Sequence, residues 1–283
     1  MRKLSKSLAL GALFFLVALV LASCSSRSNF ATETDQWQTY SKEKTIKIGF
    51  DATFVPMGFE EKNGKYTGFD VDLANAVFKK YGIKVEWQAI DWDMKETELK
   101  NGTIDLIWNG YSMTDERKKE LAFTEPYMIN QQVVVTKKSS GISSLAMMAG
   151  KSLGAQAGSS GYDVFESQAD ILKNKIKGKK AVQYSTFTQA LIDLQAGRID
   201  GLLIDRVYAN YYLEQEGKLD QYHIMPAGYE AESFAVGARK SDKTLVKKIN
   251  QAFHDLYQEG QFQKISKKWF GEDVATKQVK TNK

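Results

Sequence analysis

The chain has 283 residues, 43% of them hydrophobic, which is enough for one large or two medium domains with their own cores. Its formal net charge is +5, and three basic residues fall within the first six positions, so the remainder carries about +2. The sequence contains no dense basic stretch with interleaved aromatic residues, so nucleic acid is not an expected partner. The single cysteine, Cys24, excludes an internal disulfide and a zinc–cysteine site, and no cofactor or metal is predicted.

Residues 1–23 form a predicted signal peptide, with a basic start and a central apolar run that is too short to span a membrane. Its end, Leu21-Ala22-Ser23-Cys24, resembles the bacterial lipobox, which implies cleavage before Cys24 and a lipid on its thiol. An ordinary signal peptide beside an unrelated cysteine is the alternative. Residues 24–44 are polar, and we predict a flexible tether there between the lipid anchor and the folded domain.

The folded part is predicted to begin with short strands and one helix. Residues 45–50 alternate between apolar and polar side chains as a strand does. Asn63-Gly64 has the composition of a hairpin turn. The helix opens after Gly68, and Asp70 is the simplest candidate for its N-cap.

Residues 105–117 read Asp-Leu-Ile-Trp-Asn-Gly-Tyr-Ser-Met-Thr-Asp-Glu-Arg and predict a buried strand followed by a short helix capped by Thr114. Ligands of α/β sheets bind outside the carboxyl ends of strands, where helix starts leave backbone N–H groups unpaired. Arg117 adds a cation whose planar shape suits a carboxylate. The alternative is that this segment is a charged, solvated turn.

A repeated pattern favours the ligand-site interpretation. Leu99-Lys-Asn-Gly-Thr-Ile-Asp105 and Leu194-Gln-Ala-Gly-Arg-Ile-Asp200 both read L-x-x-G-x-I-D, which predicts a helix that ends on a left-handed glycine and is followed by a strand. The first strand leads to Arg117 and the second to Asp205. Two similar lobes with opposite charges at equivalent places predict a clamp for a zwitterion.

Two segments are predicted to connect the lobes. Gln131–Lys137 is rich in β-branched residues, and Ser233–Arg239 is its expected partner strand. Lobe 1 would then comprise residues 45–135 plus 233–283, and lobe 2 residues 136–232. Two connecting strands make a natural hinge.

Four segments, in this order and spacing, resemble the extracellular solute-binding proteins of polar amino-acid ABC importers. They are Gly68-Phe-Asp-Val-Asp-Leu-Ala74, the Gly-x-Ile-Asp strand, Ser112-Met-Thr-Asp-Glu-Arg117 and Phe123-Thr-Glu-Pro-Tyr127. The resemblance covers residues 45–273 and implies an α/β fold of the type II periplasmic-binding-protein kind, in which two lobes, each a sheet flanked by helices, are joined by two crossover strands. It also implies a monomer that works with an ABC permease and ATPase, anchored by Cys24 on the extracellular face of a Gram-positive plasma membrane.

The resemblance also implies which protein residues bind the α-carboxylate and α-ammonium groups of the ligand. Arg117, with the backbone near Ser112, resembles the group that holds the α-carboxylate, and Ser160 matches the place where lobe 2 adds donors to it. The carbonyl of Gly110 and the carboxylate of Asp205 resemble the groups that take the α-ammonium.

The predicted pocket for the ligand's side chain departs from the family pattern, because Asn109 and Tyr111 stand where relatives often have small residues. The identity of the ligand is therefore left undecided by the sequence. Phe54 and Trp92 resemble the two aromatic residues that sandwich the ligand's aliphatic part. The expected rim combines residues of both lobes: Asp51, Asn109, Tyr111 and either Glu230 or Glu232. Asn109 suits an amide ligand such as glutamine, Asp51 would be needed for a basic ligand, and the aromatic surroundings suit cystine or glutathione.

Two other functions compete with amino-acid capture. The first is an enzyme similar to cyclohexadienyl dehydratase, which resembles these binding proteins in fold. It would need a tuned acid or base in the cleft, and the two histidines, His223 and His254, lie away from the predicted strand-to-helix crossovers. The second is a tethered surface sensor or adhesin. We expect a binding protein and no enzyme.

Overall fold

The structure is a computed structural model that describes residues 34–281. The predicted signal peptide, Cys24 and most of the predicted tether lie outside this range. Within it the strands, in chain order, are β1 (Thr45–Phe50), β2 (Thr53–Phe54), β3 (Gly58–Glu60), β4 (Tyr66–Thr67), β5 (Lys84–Ala89), β6 (Leu106–Ile107), β7 (Leu121–Phe123), β8 (Met128–Asn130), β9 (Gln132–Lys137), β10 (Leu153–Gln156), β11 (Val182–Tyr184), β12 (Gly201–Asp205), β13 (Tyr222–Pro226), β14 (Glu232–Phe234) and β15 (Gly237–Arg239). The α-helices are α1 (Trp37–Glu43), α2 (Phe69–Lys79), α3 (Lys95–Lys100), α4 (Asp115–Glu120), α5 (Ser160–Ser167), α6 (Phe187–Ala196), α7 (Arg206–Gln215), α8 (Lys243–Gln258), α9 (Gln261–Phe270) and α10 (Lys277–Thr281).

Two five-stranded sheets define two lobes with related topologies. The sheet of the first lobe has the order β5-β1-β6-β15-β7, and that of the second lobe has the order β11-β10-β12-β9-β13. In each sheet the first three strands are parallel, and the fourth runs antiparallel to both of its neighbours. Helices pack against both sheets, so the predicted two-lobed α/β architecture is confirmed.

The two L-x-x-G-x-I-D copies perform the same structural task. Gly102 and Gly197 have φ angles of +74° and +73°, which glycine adopts without a Cβ penalty. The carboxylate of Asp105 accepts a hydrogen bond from the backbone nitrogen of Lys47 at 2.9 Å, and that of Asp200 accepts one from Ser152 at 2.8 Å. Each aspartate thus fastens the start of its strand to the parallel strand beside it.

The connection between the lobes differs from the prediction. The pairing predicted between Gln131–Lys137 and Ser233–Arg239 is wrong, because β9 pairs with β12 and β13 inside the second sheet. Its β-branched residues are buried there. The lobes are joined instead by β8 and β14, which pair with each other. The change of lobe therefore falls near residue 131, and the predicted boundary at 135 lies within a strand.

The predicted tether is too long at its carboxyl end. Residues 37–43 form α1, whose Tyr40 is buried, and the ring of Trp37 lies 5.1 Å from the ring of Tyr81. Trp37 and Tyr40 are three residues apart and share one face of the helix. Because Gln38 and Thr39 between them are polar, the segment was predicted from its composition to be a tether.

The aromatic core of the first lobe lies behind the site. Trp108 is fully buried, and its ring lies 5.6 Å from that of Phe253 in α8. Helices α8 and α9 both pack against α2, so the segment after the return crossover completes the first lobe as predicted. The core supports β6, the strand that leads into the site. Trp108 is part of this core and does not line the cavity.

Candidate ligand-binding site

A small cavity lies where the two lobes meet. Residues from both lobes line it: Phe54, Trp92, Asn109, Gly110, Ser112, Arg117, Gln156, Ser159, Ser160 and Asp205. The volume open to the centre of a water molecule is about 10 Å³, which is room for roughly one water. An amino acid therefore needs the lobes to separate before it can enter.

A larger groove of about 1010 Å³ lies beside the crossover, between α7 and the end of α9. Its lining includes Arg206, Tyr211 and Trp269, and it contains none of the predicted ligand residues. We assign the ligand site to the smaller cavity, because buried groups of opposite charge converge there from the two lobes.

Arg117 enters the cavity from the start of α4. The helix is capped by Thr114, whose hydroxyl accepts from the backbone nitrogen of Arg117 at 3.2 Å, as predicted. The guanidinium donates to the carbonyl oxygens of Ser112 at 3.0 Å and of Gly158, in the second lobe, at 3.1 Å. Its Nε lies 3.5 Å from the carboxylate of Glu96. The cation is therefore held in place from three directions.

Tyr111, predicted to lie on the pocket rim, packs beneath Arg117 and is not among the residues that line the cavity. The side chain is fully buried, and the Arg117 guanidinium lies 4.5 Å from its ring centre, a cation–π geometry. The phenol donates to Glu96 at 2.7 Å. Gly110 bends the chain just before Tyr111, with a φ angle of +57°, and the Tyr111 ring stacks on that of Phe123 in the first lobe at 5.5 Å.

Gly110 is fixed by a buried carboxylate. Its backbone nitrogen donates to Asp70 at 2.7 Å, and the Tyr127 hydroxyl donates to the same oxygen at 3.0 Å. Asp70 was predicted to be the N-cap of α2, but the N-cap is Gly68 and Asp70 lies in the first turn. Burial raises the pKa of Asp70 to about 7, against the opposing effect of the Gly110 and Tyr127 hydrogen bonds.

Asp205 stands at the start of α7, where the helix dipole favours a negative charge. It is 5% exposed and accepts hydrogen bonds from the side-chain amides of Asn130 and Gln132. Burial, and then the neighbouring carboxylate of Glu232, raise the pKa of Asp205 to about 8, while the amide donors lower it. An ammonium group placed here would stabilise the ionised form.

Ser112 and Ser160 face each other from the two lobes. The Ser160 hydroxyl lies 3.0 Å from that of Ser112, and both lie within 3.0 Å of Glu232. Of the two glutamates considered from the sequence, Glu232 therefore reaches the site, whereas Glu230 is exposed.

Asp51, a predicted ligand residue, lies beside the cavity lining. Its carboxylate accepts from the backbone and hydroxyl of Thr53 and, across the lobes, from the Gln156 amide at 2.8 Å. Burial raises its pKa. Asn109 does line the cavity, and its amide oxygen accepts from the Asp51 backbone nitrogen at 3.1 Å. Asp51 is therefore held by Thr53 within its own loop and by Gln156, which lines the cavity from the second lobe.

The two aromatic residues predicted to cover the ligand, Phe54 and Trp92, pack against different neighbours. The Phe54 ring lies 5.9 Å from Phe187 and 5.5 Å from Tyr208, both in the second lobe. The Trp92 ring lies 5.9 Å from that of Tyr111, edge to face. Both residues line the cavity.

Lys95 is a buried cation that the sequence did not single out. Its ammonium donates to the carbonyl of Gly158 in the second lobe at 2.8 Å and lies 3.1 Å from Glu96. Burial, and then the nearby Arg117, lower the pKa of Lys95 to about 8. Gln156 and Ser159 were also missed, because a polar residue at a helix start or strand end looks the same in a sequence whether or not it faces a partner lobe.

This architecture, two α/β lobes that bring opposite charges to one cavity, is that of two-lobed small-molecule binding proteins. The model of the bacterial extracellular solute-binding proteins, family 3, matches residues 46–272. The chain belongs to that family, whose matched relatives here are amino-acid-binding proteins of ABC transporters.

Individual relatives bind different amino acids. The arginine-binding extracellular protein ArtP of Bacillus subtilis is 32% identical over 89% of this chain and 96% of its own length. The L-cystine-binding protein TcyA of the same species is 32% identical over 94% of this chain and 98% of its own. A Streptococcus pneumoniae ABC uptake transporter substrate-binding protein solved with bound histidine is 66% identical, with a TM-score of 0.85 over 86% of this chain and 99% of its own.

No helix within residues 34–281 is long and apolar enough to cross a membrane.

The two histidines lie away from the cavity lining. His254 is in α8, where its Nε2 lies 3.0 Å from Glu125 and its Nδ1 lies 3.0 Å from the carbonyl oxygen of Val279. His223 is in β13, at the edge of the second sheet.

Proposed function

We propose that this chain captures a polar amino acid outside the cell and delivers it to the permease of an ABC importer. One observation carries the proposal: Arg117 of the first lobe and Asp205 of the second, which have opposite charges, line the same buried cavity. A zwitterionic head group has the matching pair of charges.

The head group would be held by both lobes. Arg117 takes the α-carboxylate, with Ser112 and Ser160 beside it, and Asp205 and the Gly110 carbonyl take the α-ammonium. Because the two charged residues come from different lobes, a ligand pairs with both when the lobes are together. The ligand then stabilises the closed arrangement by its higher affinity for that arrangement.

Phe54 and Trp92 are proposed to cover the ligand's aliphatic part, and Asn109 to contact its polar end. Glutamine, cystine and glutathione are the candidates that the sequence suggests. Histidine joins them, because the Streptococcus pneumoniae structure with 66% identity contains histidine. Asp51 would contact a ligand only if the ligand displaced Gln156 from it.

A binding role is favoured over catalysis. The relatives are binding proteins, and the cavity lining supplies one aspartate, Asp205, whose amide donors and helix start suit the binding of an ammonium. The lipid anchor on Cys24, the extracellular location and a monomeric state are part of the proposal and rest on the sequence and the family.

The test is a ligand screen. Native mass spectrometry of the purified mature protein would reveal any co-purified molecule, and thermal-shift measurements would compare amino acids, cystine and glutathione with sugars and oligopeptides. A ligand at 100 times its dissociation constant adds about 2.7 kcal/mol of stability, which is readily seen as a rise in melting temperature. Stabilisation by a sugar or an oligopeptide, with none by any amino acid or amino-acid derivative, would refute the proposal.

A further inference from the structure

Lys95 joins the two lobes beside the cavity. It is 2% exposed and begins α3 of the first lobe. Its ammonium donates to the carbonyl oxygen of Gly158, in the second lobe, at 2.8 Å and to that of Trp92 at 3.0 Å. The third acceptor is the carboxylate of Glu96, at 3.1 Å. An ammonium has three N–H donors, so all three have a protein acceptor only while the lobes are together.

The carbonyl oxygen of Gly158 accepts from a second buried cation as well. The Arg117 guanidinium donates to it at 3.1 Å and lies 3.5 Å from the carboxylate of Asp163, also in the second lobe. The second lobe thus presents two acceptors to two cations of the first. Because a carbonyl oxygen has two lone pairs, Gly158 can keep Lys95 as a donor when Arg117 turns to a ligand carboxylate.

Gly158 lets the lobes approach closely at this point. Its φ angle is +66°, and a Cβ there would lie 2.8 Å from the carboxylate of Asp93 and 3.2 Å from the Lys95 ammonium. The next two residues, Ser159 and Ser160, line the cavity. The contact between Lys95 and Gly158 therefore fixes the loop that brings these serines to the site.

Lys95 itself is not among the residues that line the cavity. Separation of the lobes would take away its Gly158 acceptor and open the ammonium to water. A hydrogen bond from a charged donor is stronger than one between neutral groups. The contact therefore favours the closed arrangement whichever amino acid lies in the cavity.

We infer that Lys95 is a positioning residue that holds the lobes closed through Gly158 and thereby sets how slowly the ligand leaves. The inference rests on the proposed function and adds to it a residue that controls retention without touching the ligand. A ligand enters while the lobes are apart, when this contact is absent, so the association rate should not depend on Lys95.

Stopped-flow measurements on the mature protein test the inference. Lys95→Met keeps an unbranched side chain of similar length and removes the ammonium. Dissociation should become about tenfold faster while association stays within about twofold, so the Kd should rise about tenfold. The probes are L-histidine, L-arginine and L-glutamine, and the factor should be the same for each one that binds. Lys100→Met is the control, because Lys100 is exposed on the same helix and pairs with Glu120. It should leave both rates unchanged.

A second variant disturbs the same contact from the other lobe. Gly158→Ala would place a methyl group against Asp93 and Lys95 and so hold the lobes apart there. It should also accelerate dissociation. Gly150→Ala is its matched control, because Gly150 has a similar φ of +71° in the same lobe but open space at its Cβ position. Gly150→Ala should have the same backbone strain and an unchanged dissociation rate.

The outcomes separate this inference from the proposed function. An unchanged dissociation rate in folded Lys95→Met would overturn the inference and leave amino-acid binding intact. Slower association alone, or a loss confined to one amino acid, would also overturn it, because Lys95 would then act on the open protein or contact the ligand. If melting curves show that Lys95→Met does not fold, the comparison of Gly158→Ala with Gly150→Ala decides in the same way. Failure of every amino acid to bind the unmodified protein would refute the proposed function, and this inference with it.

Discussion

The buried carboxylate of Asp70 accepts a hydrogen bond from the backbone nitrogen of Gly110 at 2.7 Å. Helix α2 is thereby tied to the loop that lines the cavity, although the two residues are 40 positions apart. The hydrogen bond orients the Gly110 peptide, whose carbonyl is the proposed acceptor for the ligand's ammonium.

This contact predicts a pH dependence of stability. Asp70 has a pKa of about 7 in the folded protein, against an ordinary value of 3.8, so the folded state binds more protons between these values. The free energy of unfolding should therefore fall as pH rises from about 4 to about 7, by a few kcal/mol at most, through this group. Urea unfolding at pH 5 and pH 8 should show a smaller difference for Asp70→Asn than for the unmodified protein, and an identical difference would contradict the assignment.

Arg117→Ala should weaken amino-acid binding by about 2 to 5 kcal/mol, because a ligand carboxylate would be left unpaired in a desolvated site. Arg117→Lys should also bind weakly, since the point charge of an ammonium cannot reproduce the planar fork of the guanidinium. Calorimetry measures both. Arg198→Ala is the control, because Arg198 is exposed and ion-paired with Asp193 on the second lobe. Unchanged affinity in Arg117→Ala would remove Arg117 from the site.

Gly110→Ala should destabilise the protein more than Gly102→Ala, and it alone should weaken ligand binding. Gly110 has a φ angle of +57°, and a Cβ there would lie 2.8 Å from the Phe54 ring. Gly102 has a similar φ of +74° but open space around its Cβ position. Gly102→Ala should therefore show backbone strain alone, about 1 kcal/mol in urea unfolding. Gly110→Ala should lose more stability and also lose ligand affinity, and equal effects of the two variants would argue against close packing of Phe54 on Gly110.

Cys24→Ala should release the protein from the membrane or leave it unprocessed. A lipid on Cys24 is the proposed anchor, and stable anchoring requires more than one acyl chain. Fractionation of cells followed by immunoblotting would locate the variant. Firm retention of processed Cys24→Ala in the membrane fraction would contradict the lipobox interpretation.

The sequence by itself determined the repeated architecture and the choice of Arg117 and Asp205, which line the same cavity. Local signals carry that information: a left-handed glycine followed by an Ile-Asp strand start, and the Thr114 cap ahead of Arg117, depend on residues close together in the chain. Arg117 and Asp205 could be chosen because equivalent strand ends of two similar lobes face a shared gap.

The tertiary structure decided which neighbours these residues have. It turned Tyr111 beneath Arg117, paired Asp51 with Gln156, and brought Glu232 rather than Glu230 to the site. It also placed β9 within the second sheet. Tyr111 and Arg117 are only six positions apart, but the other outcomes depend on contacts between residues far apart in the chain. The balance of burial, hydrogen bonding and charge at such contacts is set only in the folded protein.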